Sequence, residues 1–503
     1  EDFTALRLRS DMDLAGTFKT SNSLLNDIHV ICRDAIQSQL YNSITDCPHR
    51  EKLGWLDVPN EMFNSLVYNY DMENFFKKVV LDCFDAQYSN GRVPSTVPHF
   101  MSVYDDDPNW GGAAILVPYR SWKTYGDVTT MTKFYPQMKK LMDYYTSKTV
   151  NHIMPGSNYS VLSDWGQETA GVNPMVPGEF TITTTYYYML NAMAEIASFL
   201  GKDVDAKGFL TQAQNTKKAF NERFYKDGVY GYGQQSEFAM PLYYGLVDQE
   251  NEELVAAKLA ERVKKDNYKI KTGEIGLKPL FMSLAKYGYN DIVYQMANQT
   301  DCPSYGYWVK QGYTTTPEYW DVGAFSQNHC MMDHIEEWFF SQLGGIRNDG
   351  NGFDIVRIEP WIPEDMNHLD VTTRSIYGNI RCHYERGVDN EMNYTFEIPA
   401  NSQANIVLPC LNHQSVFENG KDVKNGEKGV VSVEYKDGKA YLKMGSGNYT
   451  LQIKKKEATG IQEVNISRAR LNDVYYDLEG RNHGKVRPSQ KGIFIWNQKK
   501  VVL

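Results

Sequence analysis

A chain of 503 residues is too long for a single hydrophobic core and predicts roughly two to four domains. With 42% hydrophobic and 23% charged residues it reads as an ordinary globular protein, except for 35 tyrosines and 9 tryptophans, an excess that suits a carbohydrate-facing surface or a tyrosine-rich core. A formal net charge of -10 argues against a polyanionic partner and sets nucleic acid aside, and the absence of any apolar run of about 18 residues predicts no membrane-spanning helix.

In chain order, residues 1–20 carry a short apolar/polar alternation ending in Gly16-Thr17-Phe18, a lead-in strand or linker. From 21 to 40 the period becomes helical: Ser21, Asn22 and Ser23 are capping candidates, and Leu24, Ile28, Ile31 and Ala35 recur on one face. The chain begins at Glu1 without a methionine or signal sequence, which predicts a fragment or a processed form with targeting information upstream.

Directly after this helix comes Thr45-Asp46-Cys47-Pro48-His49-Arg50-Glu51-Lys52-Leu53-Gly54-Trp55. Pro48 cannot continue a helix and biases Cys47 toward an extended backbone, so Asp46 and Glu51 are expected on a turn. Such a turn can aim both carboxylates into one cavity. Arg50 can hold a carboxylate or lower its pKa, and Trp55 offers a flat apolar platform for a sugar ring. These are the parts of a glycosidase. A surface loop with an Asp46/Arg50 ion pair and a buried Trp55 accounts for the same residues.

Between 60 and 343, helical stretches alternate with loops rich in Gly, Pro, Asp, Trp and Tyr. Helices are predicted over 60–88, 113–125, 130–148, 181–200, 205–223, 236–246, 251–264, 277–287, 289–297 and 326–342. Helices without intervening strands suggest helical hairpins, which close most simply as an (α/α)6 toroid with a cavity formed by the loops at one end. No fixed-period repeat supports a solenoid.

Three loops carry acids beside indoles. In Asp105-Asp106-Asp107-Pro108-Asn109-Trp110-Gly111-Gly112, the candidates are Asp107 and Trp110; a solvated turn explains the aspartates equally well, and the EF-hand calcium pattern is absent. In Ser163-Asp164-Trp165-Gly166-Gln167-Glu168, Asp164 can hold sugar hydroxyls while Trp165 covers the apolar face, or Trp165 is buried and Asp164 caps. In Thr314-Thr315-Thr316-Pro317-Glu318-Tyr319-Trp320-Asp321, Glu318 stands between a proline and aromatics, Trp320 is a candidate sugar contact, and Asn328-His329 opens the last predicted helix.

After Gly344-Gly345-Ile346 the period changes to short alternating runs at 353–358, 371–376, 378–385, 391–398, 403–408, 429–435, 438–444 and 447–454. Tyr435-Lys436-Asp437-Gly438-Lys439 is a hairpin signal, and the region reads as an antiparallel β-sandwich. Lys454-Lys455-Lys456-Glu457 marks a linker to a small β-rich tail. The expected division is therefore 1–20, a toroid over 21–343, a sandwich over 344–455 and a tail over 456–503. Seven dispersed cysteines without a CxxC pair match neither a zinc site nor a disulfide framework, so no metal is expected.

Together these motifs resemble glycoside hydrolase family 78, the α-L-rhamnosidases. The resemblance rests on Asp46-Cys47-Pro48, Arg50, Glu51 and Leu53-Gly54-Trp55; on Gly91-Arg92-Val93-Pro94, Trp110-Gly111 and Asp164-Trp165; and on Glu318, Asn328-His329, Glu337-Trp338 and Gly344-Gly345-Ile346. Their order covers roughly residues 15–455. It implies an inverting hydrolase that releases terminal α-L-rhamnose without a cofactor, with Glu51 as general acid, Glu318 as general base and Asp46 as a sugar-binding acid. His329 is expected to orient Glu318, touch a hydroxyl or cap a helix.

One departure stands out. Where the family carries Gly-Asp, a further sugar-binding acid, this chain reads Trp55-Leu56-Asp57-Val58-Pro59, with its acid one position early. Either the loop shifts to present Asp57 or the contact is lost. That departure leaves room for a catalytically silent glycan-binding protein, and another toroid enzyme such as a polysaccharide lyase is a further alternative. Val474-Tyr475-Tyr476-Asp477-Leu478-Glu479-Gly480-Arg481 and Lys491-Gly492-Ile493-Phe494 resemble the C-terminal secretion modules of exported Bacteroidetes proteins, which implies a secreted, periplasmic or cell-surface location.

Overall fold

The computed structural model describes residues 2–4, 6, 8–100, 104–156, 161–166, 176–321, 325–388, 391–455, 474–485, 488–496 and 499–502. The Gln167-Glu168 end of the second acid-indole loop and residues 456–473 of the linker lie outside them. Residues Glu1–Lys454 form one compact unit and Lys455–Leu503 a second.

The helical region separates into two kinds of helix. Asp203–Phe224 buries Ala206, Phe209, Ala213, Thr216 and Phe220, alternating steps of three and four that put one stripe inward. Glu252–Lys265 likewise turns one face inward, with Val255, Ala256, Leu259, Ala260 and Val263. By contrast, Gly178–Phe199, Gln235–Tyr244 and Glu274–Lys286 are buried on nearly all sides. Amphipathic helices cover an inner layer of enclosed ones, because a helix apolar all round has no face to give to water. Neighbours in sequence pack in pairs, as Gly178–Phe199 does with Asp203–Phe224 and Gln235–Tyr244 with Glu252–Lys265. Ser23–Gln39 packs on Tyr305–Lys310, so the beginning and end of the helical region meet and the ring closes.

Two predicted helices break up. The 60–88 stretch forms Asp57–Glu61, Phe63–Asn69 and Glu73–Asp85. It breaks at Tyr70, which is extended and bridges Leu14, while the Asp71 N–H donates to the Asp13 carbonyl; a tertiary contact outcompetes the local helical preference. The 326–342 stretch becomes a 3-10 turn at Cys330–Met332, one α turn at Ile335–Trp338 and a π turn at Phe339–Leu343. The helix expected from 277 begins instead at Glu274, which places that acid in its first turn.

The strand-rich region is built of two sheets. The larger runs, in spatial order, Thr17–Thr20, His368–Ser375, Gly378–Arg386, Met392–Ile398, Gly447–Lys455, Gln414–Glu418 and Lys421–Asp422. The smaller runs Val430–Lys436, Lys439–Met444, Gln403–Pro409, Ile355–Ile358 and Ile346–Asn348, and its Ile355–Ile358/Gln403–Pro409 pair is parallel. Burial alternates along Met392–Ile398 and Lys439–Met444, as one-sided packing requires. The predicted hairpin forms with Lys436 opposite Lys439, across Asp437 and Gly438 at φ 50° and 72°, the mirror-image turn that Asp-Gly favours. The N-terminal strand Thr17–Thr20 pairs with Leu369–Thr372, so the chain enters the ring from an edge of the sheet. The second unit contains the antiparallel strands Tyr475–Asp477, Ile493–Trp496 and Lys499–Val502.

Candidate active site

The loop predicted to be a turn is one. The Asp46 N–H donates to the Leu53 carbonyl at 3.0 Å, and the Leu53 N–H returns a bond to Asp46 Oδ1 at 3.1 Å. Cys47 ties the interior together: its thiol donates to Asp46 Oδ2 at 3.0 Å and its sulfur accepts from the Glu51 N–H at 3.1 Å. Gly54 is required by contact, since a Cβ there would lie 2.0 Å from the Val97 carbonyl oxygen. Trp55 lines the cavity. Its indole N–H donates to Glu51 Oε2 at 2.9 Å, so Trp55 fixes the orientation of an otherwise exposed carboxyl. Arg50 forms no ion pair with Asp46; its guanidinium lies over the Phe325 ring, 4.5 Å from the centroid.

Across the cavity, the Glu318 N–H donates to the Ser326 carbonyl at 2.9 Å and the Ser326 N–H donates to Glu318 Oε2 at 3.1 Å. The Trp165 indole N–H reaches Glu318 Oε1 at 3.4 Å. Burial raises the Glu318 pKa, the Ser326 and Trp165 donors work against that rise, the Glu51 charge adds to it and Arg50 opposes it. His329 Nδ1 accepts from the Met331 N–H at 3.4 Å, capping the 3-10 turn, and Nε2 stands 3.9 Å from Asp46 Oδ2, too far for a hydrogen bond. Burial lowers the His329 pKa to about 3, so the imidazole is neutral and brings no positive charge.

Asp57 opens the helix Asp57–Glu61 and lines the cavity; burial raises its pKa, and neighbouring Glu274 and Trp110 work against that rise. The early placement of this acid is thus accommodated by presenting Asp57 itself, with Val58 turned into the core. Beside it lies Glu274, which the sequence reading missed because it fell in a loop three residues before the predicted helix.

These groups enclose a cavity of about 550 Å³ lined by Asp46, Glu51, Asp57, Glu274 and Glu318, by Trp55, Trp110 and Trp165, and by His329 among others. Phe100, Tyr104, Phe325 and Met331 also line it, and no motif in the sequence singles them out. Three expected sugar contacts are corrected, because their side chains support the wall from behind. Asp107 accepts from the N–H groups of Asn109 at 2.9 Å, Leu162 at 3.0 Å and Ser163 at 3.2 Å, joining two loops; burial raises its pKa to about 7. Asp164 accepts from the Gly276 N–H at 2.8 Å and the Ser236 hydroxyl at 2.5 Å. Trp320 stacks on Trp308 at 4.4 Å in the core. An acid next to an indole signals a sugar site in sequence, but the backbone N–H groups nearby decide which way the acid faces.

Asp46 gives a testable pH effect. Burial raises its pKa to about 7, the Cys47 thiol opposes this and the Glu51 charge reinforces it. A carboxyl whose folded pKa lies above its unfolded value binds its proton more tightly when folded. It therefore contributes stability that is complete below about pH 4 and is lost as pH rises through 7. Asp46→Asn removes the titration, so the stability difference between variant and wild type should move in the variant's favour by roughly 1–4 kcal/mol from pH 4 to pH 8. Parallel urea denaturation curves at both pH values check this, and a constant difference refutes it.

Residues 13–343 match the family profile of the bacterial alpha-L-rhamnosidase 6 hairpin glycosidase domain, and 345–422 match that of the bacterial alpha-L-rhamnosidase C-terminal domain. An alpha-L-rhamnosidase of Formosa agariphila is 27% identical over 487 residues, covering 90% of this chain and 50% of the relative. The solved alpha-L-rhamnosidase of Dictyoglumus thermophilum superposes with a TM-score of 0.83 at 27% identity, over 89% of this chain and 51% of that one. The Streptomyces avermitilis enzyme, solved in complex with L-rhamnose, shares the fold with a TM-score of 0.81 at 23% identity, over 89% and 43% of the two chains. The chain spans about half the length of the curated relatives it matches.

Proposed function

The chain belongs to the bacterial α-L-rhamnosidase six-hairpin glycosidase family, and from that premise we propose that it hydrolyses terminal α-L-rhamnosides with inversion at the anomeric carbon. The observation that carries this reading is that Glu51 and Glu318, 267 positions apart in sequence (318 − 51), open into one cavity among indoles. Glu51, held by Trp55, protonates the glycosidic oxygen as the bond breaks. Glu318, held by Ser326 and Trp165, takes the proton from a water that attacks the opposite face. Asp46 and Asp57 bind sugar hydroxyls.

The electrostatics of the wall support the same substrate class. Five carboxyl groups line the cavity, and among its described lining residues there is no Lys or Arg and the one histidine is neutral. Such a cavity places the ionised Glu318 beside the cation-like sugar transition state and offers no positive group to hold an anionic sugar, which disfavours a lyase acting on uronates. The silent-binder alternative leaned on the shifted Asp57, whose carboxyl lines the cavity, so nothing in the site favours it. Export, implied by the resemblance of the tail, would bring the enzyme to extracellular glycans.

Proton NMR of an aryl α-L-rhamnoside during hydrolysis tests the proposal. The first-formed sugar should be β-L-rhamnose, mutarotating afterwards. First-formed α-L-rhamnose would overturn inversion, and no release of rhamnose would overturn the activity.

A further inference from the structure

Asp57 and Glu274 are 3% and 1% exposed, and both line the cavity. Their carboxyls hydrogen-bond to each other. Asp57 Oδ1 and Glu274 Oε1 are buried, and neither has a hydrogen-bond partner among the described residues; a single proton on the pair limits the cost of burying two acids together. Burial, then the charges of Asp57, Asp164 and Glu61, hold Glu274 well above the ordinary carboxyl range, so Glu274 carries that proton.

The local backbone is built to bring Glu274 here. Gly273 lets the Asp164-Trp165 loop lie directly on the helix start, where a Cβ would come within 2.2 Å of the Trp165 carbonyl oxygen. The Glu274 N–H donates to that carbonyl at 2.8 Å. A buried acid pair disfavours folding relative to apolar side chains of the same size, so its place in a ligand cavity calls for a role in recognition.

We infer that Glu274 is a specificity-determining residue: paired with Asp57, it hydrogen-bonds one hydroxyl of the bound sugar and selects sugars that carry it. This rests on the hydrolase reading above. A neutral carboxyl beside a carboxylate offers a donor and an acceptor to one polyol edge. A sugar lacking the matching hydroxyl leaves the pair under-satisfied, which is how a buried polar site rejects an analogue.

The test is a coupling cycle. Wild type, Glu274→Leu and Glu274→Gln are assayed for kcat/KM on an aryl α-L-rhamnoside, on its 2-, 3- and 4-deoxy analogues, and on the α-L-mannoside, which adds a hydroxyl at C6. Intrinsic reactivity differences among the sugars cancel in the cycle. One substrate pair, differing by one hydroxyl, should be discriminated about 10- to 100-fold more strongly by wild type than by Glu274→Leu, with Glu274→Gln intermediate. Equal discrimination by all three proteins, with wild-type turnover intact, overturns this inference alone. Absent wild-type turnover on every glycoside overturns the hydrolase reading and this one with it. If Glu274→Leu fails to fold, the shape-conserving Glu274→Gln decides: reduced discrimination at one hydroxyl supports the inference and unchanged discrimination overturns it.

Discussion

Glu51→Gln and Glu318→Gln are each expected to lower kcat on an alkyl α-L-rhamnoside by about 100- to 10,000-fold while leaving the melting temperature near that of wild type. The fold should tolerate both changes. Glu51 is exposed with the Trp55 indole as its side-chain partner, and a carboxamide oxygen at 318 can still accept from Ser326. Leaving groups separate the two roles. A dinitrophenolate departs without a proton, so Glu51→Gln should recover much of its rate on the dinitrophenyl glycoside. Glu318→Gln should stay slow on both, because water still has no base. Near-normal rates in both variants would remove the acid/base assignment, and the reverse leaving-group pattern would exchange the roles. The pH profile carries the same logic. Glu318 must be ionised to act as base and burial raises its pKa, so kcat/KM of the free enzyme should fall on the acidic side, beginning above the ordinary glutamate range.

The second large effect is on stability. Lys278 Nζ donates to Glu61 Oε2 and to the Glu61 carbonyl, each at 2.9 Å, and both side chains are 2% exposed. Burial lowers the Lys278 pKa against the pull of Glu61. Removing one partner leaves the other charge buried without compensation, so Lys278→Met should destabilise by roughly 3–5 kcal/mol in chemical denaturation. Glu61→Gln combined with Lys278→Met should recover part of that loss, because no bare charge remains. A loss under about 1 kcal/mol for the single variant would show that the pair does not hold the ring. Glu61 belongs to the helix that begins at Asp57, and Lys278 to the helix that begins at Glu274. The ion pair therefore clamps the two helices that present the acid pair to the cavity, and weakened substrate binding should accompany the weakened fold.

The sequence by itself determined the local patterns: the helical periods of the ring, the alternation of the sandwich strands, the Asp437-Gly438 hairpin, and a proline-kinked loop carrying Asp46 and Glu51. These follow from short-range sterics and from which face each residue offers, so a few neighbours suffice to specify them. Only the tertiary structure decided which acids face the cavity. Asp107 and Asp164 turn to the backbone N–H groups of neighbouring segments, Trp320 stacks in the core, and Glu274 enters the wall because a distant loop settles on Gly273. Likewise Trp55 orients Glu51 from four residues away, whereas Trp165 reaches Glu318 across 153 positions and Lys278 reaches Glu61 across 217. A carboxyl's direction and protonation depend on donors, charges and exclusion of water summed over everything near it in space. No short window of sequence contains that sum.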